Sequence, residues 1–518
     1  MTEPDNSQIG SAAALGGSSS NGSLGAQKAP STFDPGYRIA IPTRRSPNAA
    51  QAVLLGSAFA QLAIALLITI YLARELSPAA FGFFSLVSTI FILARKFLDL
   101  GLSNVAARET TRDPERERPI LEGLMAYRRA AGVVLAIGLF IFALVQKDES
   151  QRLVLLGVGI VLLFTEPAAL DPVFQVRQAQ GGPALLNILG GLLVLGGSIV
   201  FKRLAVAGPA FAWLLVVREA VILLFTLLLG WHLLGYRPHP GFRERKLRKF
   251  VGPALIFGLA SLIYTVYFNC DVFFVYALRG QQELGAYAAA FRPINPLLLL
   301  PWLLMVPMIP VLTASVKDKE YLVRQVRGAS GLALGIGACG LVGGTLLAPD
   351  LVQVLYRGRY LEGALSCVNA FRWLAVGLGQ VCVTTVLTAA LLAAGKEKVL
   401  LAIGTAALVV NAAINLVALR HYNFTAAGFA TALTELLFLV CAWAAFWIFA
   451  GRSPLTLKSA VYALPAIAMG GVLYWMKGAP ALRVSFGIAL GLLAVAAILL
   501  SPDARRFRKE IAAAAPVF

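Results

Sequence analysis

From Ala52 to Ser501 the chain alternates apolar stretches with short polar joints about fourteen times, and each stretch approaches the roughly 20 residues a helix needs to cross hydrocarbon. In lipid every backbone N–H and C=O must bond within the protein, so runs of this length can be helices and little else. Spans are expected near residues 52–73, 80–98, 128–145, 152–170, 184–201, 207–234, 251–277, 285–313, 328–348, 366–394, 398–419, 425–450, 459–476 and 483–501. With 58% hydrophobic and 14% charged residues the chain does not fit a water-soluble fold. The class expected is an all-α polytopic membrane protein.

The joints alternate in charge. The basic ones run from Arg95 to Arg129, Arg237 to Lys249 and Lys317 to Arg327, followed by Arg505, Arg506, Arg508 and Lys509. All lie on the side of the N-terminus, whereas opposite joints such as Arg74–Ala79 and Lys477–Leu482 are short and poor in charge. This bias predicts that both termini are cytoplasmic. The formal charge of +19 therefore reads as contact with anionic phospholipids and not with nucleic acid, since no basic, aromatic-interleaved soluble module is present. The five cysteines show no CxxC spacing and the three histidines are scattered, so neither a disulfide framework nor a metal site is expected. No Gly-rich phosphate loop is present and no cofactor is expected.

The chain reads as a duplication. Leu76-Ser-Pro-Ala-Ala-Phe-Gly-Phe-Phe-Ser85 aligns with Arg279-Gly-Gln-Gln-Glu-Leu-Gly-Ala-Tyr-Ala288 through Gly82 and Gly285, with Phe84 and Tyr287 two residues on. Val206-Ala-Gly-Pro-Ala-Phe-Ala212 and Ala426-Ala-Gly-Phe-Ala430 give a second match. Six spans precede the second unit, so the halves have parallel topology and a site between them is expected. The divisions are a Ser/Gly-rich disordered tail over 1–50, an N-lobe over 51–236, a basic linker over 237–250 and a C-lobe over 251–450. Two appended spans over 451–501 and a basic tail over 502–518 follow.

The run Leu54-Leu-Gly-Ser57, then Leu72-Ala-Arg-Glu-Leu-Ser-Pro-Ala-Ala-Phe-Gly-Phe-Phe-Ser-Leu86 and Asp99-Leu-Gly-Leu-Ser103, resembles the opening of a known family. It is that of the polysaccharide transporters of the multidrug/oligosaccharidyl-lipid/polysaccharide exporter superfamily, the Wzx-type flippases. Ala348-Pro-Asp-Leu351 with Leu355-Tyr-Arg-Gly-Arg-Tyr360, and Val410-Asn411 with Asn415, are similar to later parts of the same family. The resemblance implies two six-helix lobes in a V, alternating access and a cargo of oligosaccharide on undecaprenyl pyrophosphate. That cargo would move from the cytoplasmic to the periplasmic leaflet of a bacterial inner membrane, with a polysaccharide polymerase and a chain-length regulator as partners. Arg95 and Lys96 make the end of span two more basic than the family pattern, facing headgroups or cargo.

Ionisable groups within spans face a bundle interior or a wet cavity. Arg292, Arg372 and Arg218 qualify, and a pyrophosphate needs such permanently charged, fork-shaped donors. They are the candidate substrate ligands. Asp271, Glu219 and Glu435 are candidates for ion coupling or charge pairing. Asp271 and Arg292 are each about seven residues from the intervening outer turn, so they could form a structural pair, which would still leave a guanidinium face for phosphate; the sequence leaves this open. Arg218 is expected to find a partner on another span, such as Glu435, because adjacent Glu219 lies off its helical face. Asp99 is expected to pair with Arg95, and Glu166 to be interfacial. Span eight holds Pro293, Pro296, Pro301, Pro307 and Pro310 and is expected to be kinked, as a gate or a packing bend. Gly331/Gly335 and Gly340/Gly344 predict close helix packing in span nine.

Rival readings are a lipid II flippase, a multidrug or metabolite antiporter, and a membrane polymerase or ligase. Intramembrane arginines argue against cationic cargo. The largest outer loop, about 349–365, offers Asp350, Arg357, Arg359 and Glu362 but no paired carboxylates at the end of span one, so the chain is not expected to be an enzyme.

Overall fold

The computed structural model describes residues 47–113, 117–177, 179–234, 247–298, 301–302, 305, 308–501 and 504–505. The expected N-terminal tail, most of the linker and most of the C-terminal tail lie outside these. Among the described residues there are helices and turns but no strand. The first half comprises α1 (Pro47–Glu75), α2 (Pro78–Asp99), α3 (Leu102–Arg112), α4 (Glu117–Leu144), α5 (Glu149–Leu163), α6 (Asp171–Val176), α7 (Gly181–Arg203) and α8 (Trp213–Leu234). The second comprises α9 (Leu247–Ile294), α10 (Met308–Ser315), α11 (Lys319–Leu346), α12 (Ala348–Tyr356), α13 (Val368–Ala393), α14 (Glu397–His421) and α15 (Thr425–Ala450). Then come α16 (Leu464–Trp475) and α17 (Pro480–Leu500). Residues 47–50 and 247–250, assigned above to the tail and the linker, are the first turns of α1 and α9.

Local chemistry sets the boundaries. The Ser77 side chain accepts from the Ala80 amide ahead of Pro78, so α2 begins with both an N-cap and a proline in its first turn. It ends where Leu100 (φ 38) and Gly101 (φ 72) turn left-handed and redirect the chain into α3. α9 is 48 residues long and departs from helical geometry at Gly280 (φ 83, ψ −177), a conformation that suits glycine alone. Its two arms are the expected seventh and eighth spans. The second arm stops at Ile294 and gives way to a 3-10 turn, Asn295–Leu298. Pro296 has no amide for the Arg292 carbonyl, so Pro293 and Pro296 break the span where a kink was expected. Pro301 lies buried beyond this turn, Pro307 is outside the described residues, and Pro310 sits in the first turn of α10.

Among the described residues 12 helices are long and apolar enough to cross a membrane, or 13 if Glu149–Leu163 and Glu166–Val176, bent by 42°, form one span. One of the 12 is Gly258–Leu298, which contains both arms of α9. The expected spans other than the eighth fall on one of these helices, on the first arm or on the bent pair; of the eighth, 285–313, the second arm covers only the part up to Ile294.

The halves repeat the same packing. α1 lies on α7, α7 on α8 and α4 on α5; the first arm of α9 lies on α14, α14 on α15 and α11 on α13. They meet where α2 packs on the second arm of α9. A Cβ added at Gly82 would lie 2.1 Å from the Gln281 carbonyl oxygen, and one added at Gly285 would lie 1.9 Å from that of Pro78. Pro78 and Gln281 each stand four residues before their glycine, so the contact is reciprocal, as a two-fold axis between the segments requires. One buried apolar cluster runs through this seam, from Leu72, Phe81 and Phe84 to Tyr287 and Phe291. The span-nine glycines also pack closely, Gly331 and Gly335 on Tyr462 and Gly344 on Ala375.

Because backbone atoms cannot step aside as side chains do, Gly82→Ala and Gly285→Ala should each lower the unfolding temperature in detergent by several degrees. Gly138→Ala, where an added methyl meets nothing within 4 Å, should leave it unchanged or slightly raised. Thermal-shift measurement of the three proteins checks this.

Candidate functional site

α2, α7 and α8 bring one charged group together. Arg218 on α8 donates from Nη1 to Glu219 Oε1 at 2.5 Å and from Nη2 toward Asn187 Oδ1 of α7 at 3.5 Å. Arg95 on α2 donates to the other oxygen of the same carboxylate, Oε2, through Nε at 3.1 Å and through Nη2. One buried carboxylate thus bridges two guanidinium groups from two helices and leaves the trio with one net positive charge. Two expectations fail here. Adjacent residues diverge at Cβ, but the arginine is long enough to curl back on its neighbour, so Arg218 pairs with Glu219 and not with Glu435. Arg95 does not pair with Asp99, because Asp99 is taken by Ser103 and by Arg128 Nη2 (3.2 Å), while Arg95 is taken by Glu219 of α8. Glu166 pairs with Arg129.

Arg292 lies on the second arm of α9 two turns past Gly285, and so on the face that meets α2. It donates from Nε to Ser85 Oγ (2.5 Å), from Nη2 to the Ser85 carbonyl (2.9 Å) and from Nη1 to Ser88 Oγ (3.3 Å). The pair with Asp271 that the sequence allowed does not form, because Arg292 faces the serines of α2. Asp271 instead accepts from Thr431 (2.5 Å) and Tyr287 (2.8 Å) at Oδ2 and from Asn415 (2.8 Å) at Oδ1. Asn415 also donates to the Asn411 carbonyl, while Asn411 and Tyr267 both donate to Thr434. Glu435, 2% exposed, adjoins this network, and its Oε1 has no hydrogen-bond partner among the described residues. Asp271 and Glu435 thus belong to one polar network buried in the second half, built from neutral donors.

Arg372 stands apart, exposed on α13 and bonded to the Thr345 carbonyl (3.3 Å) and Asn369 Oδ1 (3.2 Å). The three expected arginines therefore occupy three separate settings.

Helix capping by arginines is a role the sequence did not mark out, even though Arg359 and Asp350 were noted there as outer-loop groups. Where α1 ends, expected to be the periplasmic side, Arg74 donates to the carbonyls of Leu355 (2.6 Å) and Val354 (2.8 Å) at the C-terminus of α12. Arg359, just past α12, donates to the Arg74 carbonyl (2.7 Å) at the C-terminus of α1. Each arginine satisfies orphan carbonyls of the other helix and sits at the negative end of its dipole. Tyr356 donates to the Ala289 carbonyl (2.7 Å), and Gln151 and Gln281 exchange amide bonds of 3.1 and 2.7 Å. Asp350 is paired with Arg483 (2.8 Å). Asp350 and Arg359, the polar groups an outer-loop catalyst would draw on, thus hold helices together.

A family model described as polysaccharide biosynthesis protein matches residues 50–314. Among curated proteins none matches this chain. Among solved structures, the inward-closed conformation of the lipid II flippase MurJ is similar at a TM-score of 0.67 and 13% identity, over 87% of this chain and 98% of that one. The inward-facing conformation of a multidrug resistance MATE family transporter of the MOP superfamily is similar at 0.55 and 16% identity, over 76% and 98%. An outward-facing conformation of such a transporter gives 0.50 and 16% identity, over 79% and 97%. At these identities the likeness is one of fold.

The reciprocal arginine caps make the closure at the end of α1 testable. With Ala289→Cys introduced under Tyr356, adding Arg74→Ala should raise labelling by a membrane-impermeant thiol reagent by about tenfold relative to Ala289→Cys alone, the range expected for a lost charge-assisted bond of roughly 1.5 kcal/mol. The parent with its native cysteines sets the background.

Proposed function

Since this chain belongs to the polysaccharide biosynthesis protein family, we propose that it is a flippase carrying undecaprenyl-pyrophosphate-linked oligosaccharide from the cytoplasmic to the periplasmic leaflet of a bacterial inner membrane by alternating access. The observation that carries this reading is the Arg95–Glu219–Arg218 group. Two permanently cationic, fork-shaped donors converge inside the bundle, which suits a dianionic head group and repels a cation. The reciprocal contact of α2 with the second arm of α9 supplies a seam about which similar halves can rock. Arg218 and Arg95 are then the head-group ligands, and Arg292, held by the α2 serines, joins the halves. Arg372 is outside this group.

The direction of transport follows from charge. A head group with about two negative charges, leaving an interior that is negative by 100 mV, gains on the order of 4.6 kcal/mol at ~2.3 kcal/mol per charge. Asp271 is the best-placed group for a coupled proton or sodium ion, since the donors around it, Tyr287, Thr431 and Asn415, are all neutral. A polymerase and a chain-length regulator would act on the exported product.

Proteoliposomes loaded with the lipid-linked oligosaccharide test the reading. Under an imposed potential the wild type should expose it on the opposite leaflet, Arg218→Ala should slow this at least tenfold, and Arg218→Lys should retain part of the rate. Asp271→Asn should lose stimulation by an ion gradient while keeping potential-driven movement. Exchange of a small cation without lipid movement would establish the antiporter reading instead, and movement of lipid II alone the peptidoglycan precursor reading.

A further inference from the structure

We propose that Glu219 is an internal counterion that fills the anion site of the empty transporter, and that displacing it from Arg95 is what a lipid head group must do to bind. The inference rests on the flippase reading above and assigns Glu219 a role within that site as a specificity-determining residue.

The geometry separates three parts. Glu219 is the fixed one: its side chain is 8% exposed, and each carboxylate oxygen is taken by a different arginine. Arg218 is held with it, 22% exposed, over Gly190 of α7 and reaching Asn187. Arg95 is the part able to move. Its side chain is 46% exposed, it comes from a different helix, and it places both of its bonds on the single oxygen Oε2. Two guanidinium groups brought this close repel each other in a medium of low dielectric, and a carboxylate between them removes most of that cost. The same carboxylate presents to them the planar pair of oxygens that a phosphate would present.

Selectivity follows from this arrangement. The group carries one net positive charge, with two arginines against one glutamate. A monoanionic phospholipid that drew Arg95 away would exchange one carboxylate contact for one phosphate contact and gain little. A pyrophosphate brings about two charges and several acceptor oxygens, so it can take Arg95 and still engage Arg218. Glu219 would therefore keep the abundant single-charged lipids of the leaflet out of the site and admit the doubly charged carrier. On the far side it would recapture Arg95 and help the product leave. A site of this kind gives up affinity to gain turnover and discrimination.

The test compares wild type, Glu219→Gln, Glu219→Asp, Arg95→Gln and Arg218→Ala as purified full-length proteins, each checked for a monodisperse profile. Binding is measured with undecaprenyl pyrophosphate and with phosphatidylglycerol, and flipping rate is measured against lipid concentration. Glu219→Gln should bind both lipids more tightly, phosphatidylglycerol by about tenfold more than the pyrophosphate, with KM and maximal rate falling together. Glu219→Asp, which retains the charge, should retain the discrimination. Arg95→Gln should weaken pyrophosphate binding. If Glu219→Gln weakens binding or leaves the preference unchanged while Arg218→Ala loses the pyrophosphate, the site stands and the counterion role is overturned. If neither arginine variant changes pyrophosphate binding and the wild type flips nothing, the flippase reading falls, and the counterion role with it.

Discussion

The two halves of the molecule meet backbone to backbone. Between helices in lipid there is no hydrophobic driving force to hold a seam closed, because lipid tails are as apolar as leucine. Close approach and hydrogen bonds must do it. Gly82 and Gly285 supply the approach, each admitting a carbonyl of the other repeat where any side chain would collide. Once α2 and the second arm of α9 are at that distance, Arg292 reaches the Ser85 and Ser88 oxygens two turns further along the arm. The reciprocal caps of Arg74 and Arg359 close the same seam at its end. These polar contacts would lose their geometry if the glycines were moved apart.

Charge is divided between the halves in a way the seam alone does not require. In the first half, Arg95, Arg218, Arg128 and Arg129 pair with Glu219, Asp99 and Glu166, so cations and carboxylates occur together. In the second half Asp271 is surrounded by hydroxyl and amide donors, with Glu435 beside the same network. A paired, net-positive group suits an anionic ligand. A carboxylate among neutral donors suits a proton or small cation. The two similarly packed halves thus hold different chemistry, one arranged for an anionic head group and the other for a coupled ion.

Much of the architecture was legible because lipid leaves the backbone few choices. Apolar length located the spans, the prolines located the break in the eighth, and Gly82 with Gly285 marked the repeat. Residue partners were harder to read, for identifiable reasons. Counting residues from the outer turn says nothing of which face Arg292 presents; that face is set by what the helix packs on, and the close approach at Gly285 turns Arg292 toward α2. Arg218 was judged by the direction of its Cβ, whereas a flexible arginine can return to the adjacent Glu219. The local rule linking Arg95 to Asp99 does not hold because Asp99 is taken by Ser103 and Arg128, while Arg95 is taken by Glu219 of another helix. The arginine caps had no readable signal, since their acceptors are helix C-terminal carbonyls that any sequence supplies. The Asn411/Asn415 pair did carry one: two amides a turn apart on an apolar helix.

The appended helices also take part in the seam. α12 is only nine residues long, yet its N-terminal turn carries Asp350, paired with Arg483 of α17, while its C-terminal carbonyls receive Arg74 of α1. Tyr356, between them and the loop, bonds the Ala289 carbonyl of α9. Gly487 of α17 also lies against Leu347, at the start of α12, where an added Cβ would come within 2.4 Å of that side chain. α12 is thus bonded to α17 at its first turn and to α1 at its last. Opening the closure at Arg74 must therefore either break the caps or carry α12 away, and carrying it away means moving it against α17. The last two spans, which have no counterpart in the first half, are in this way tied to the contact on which alternating access would depend.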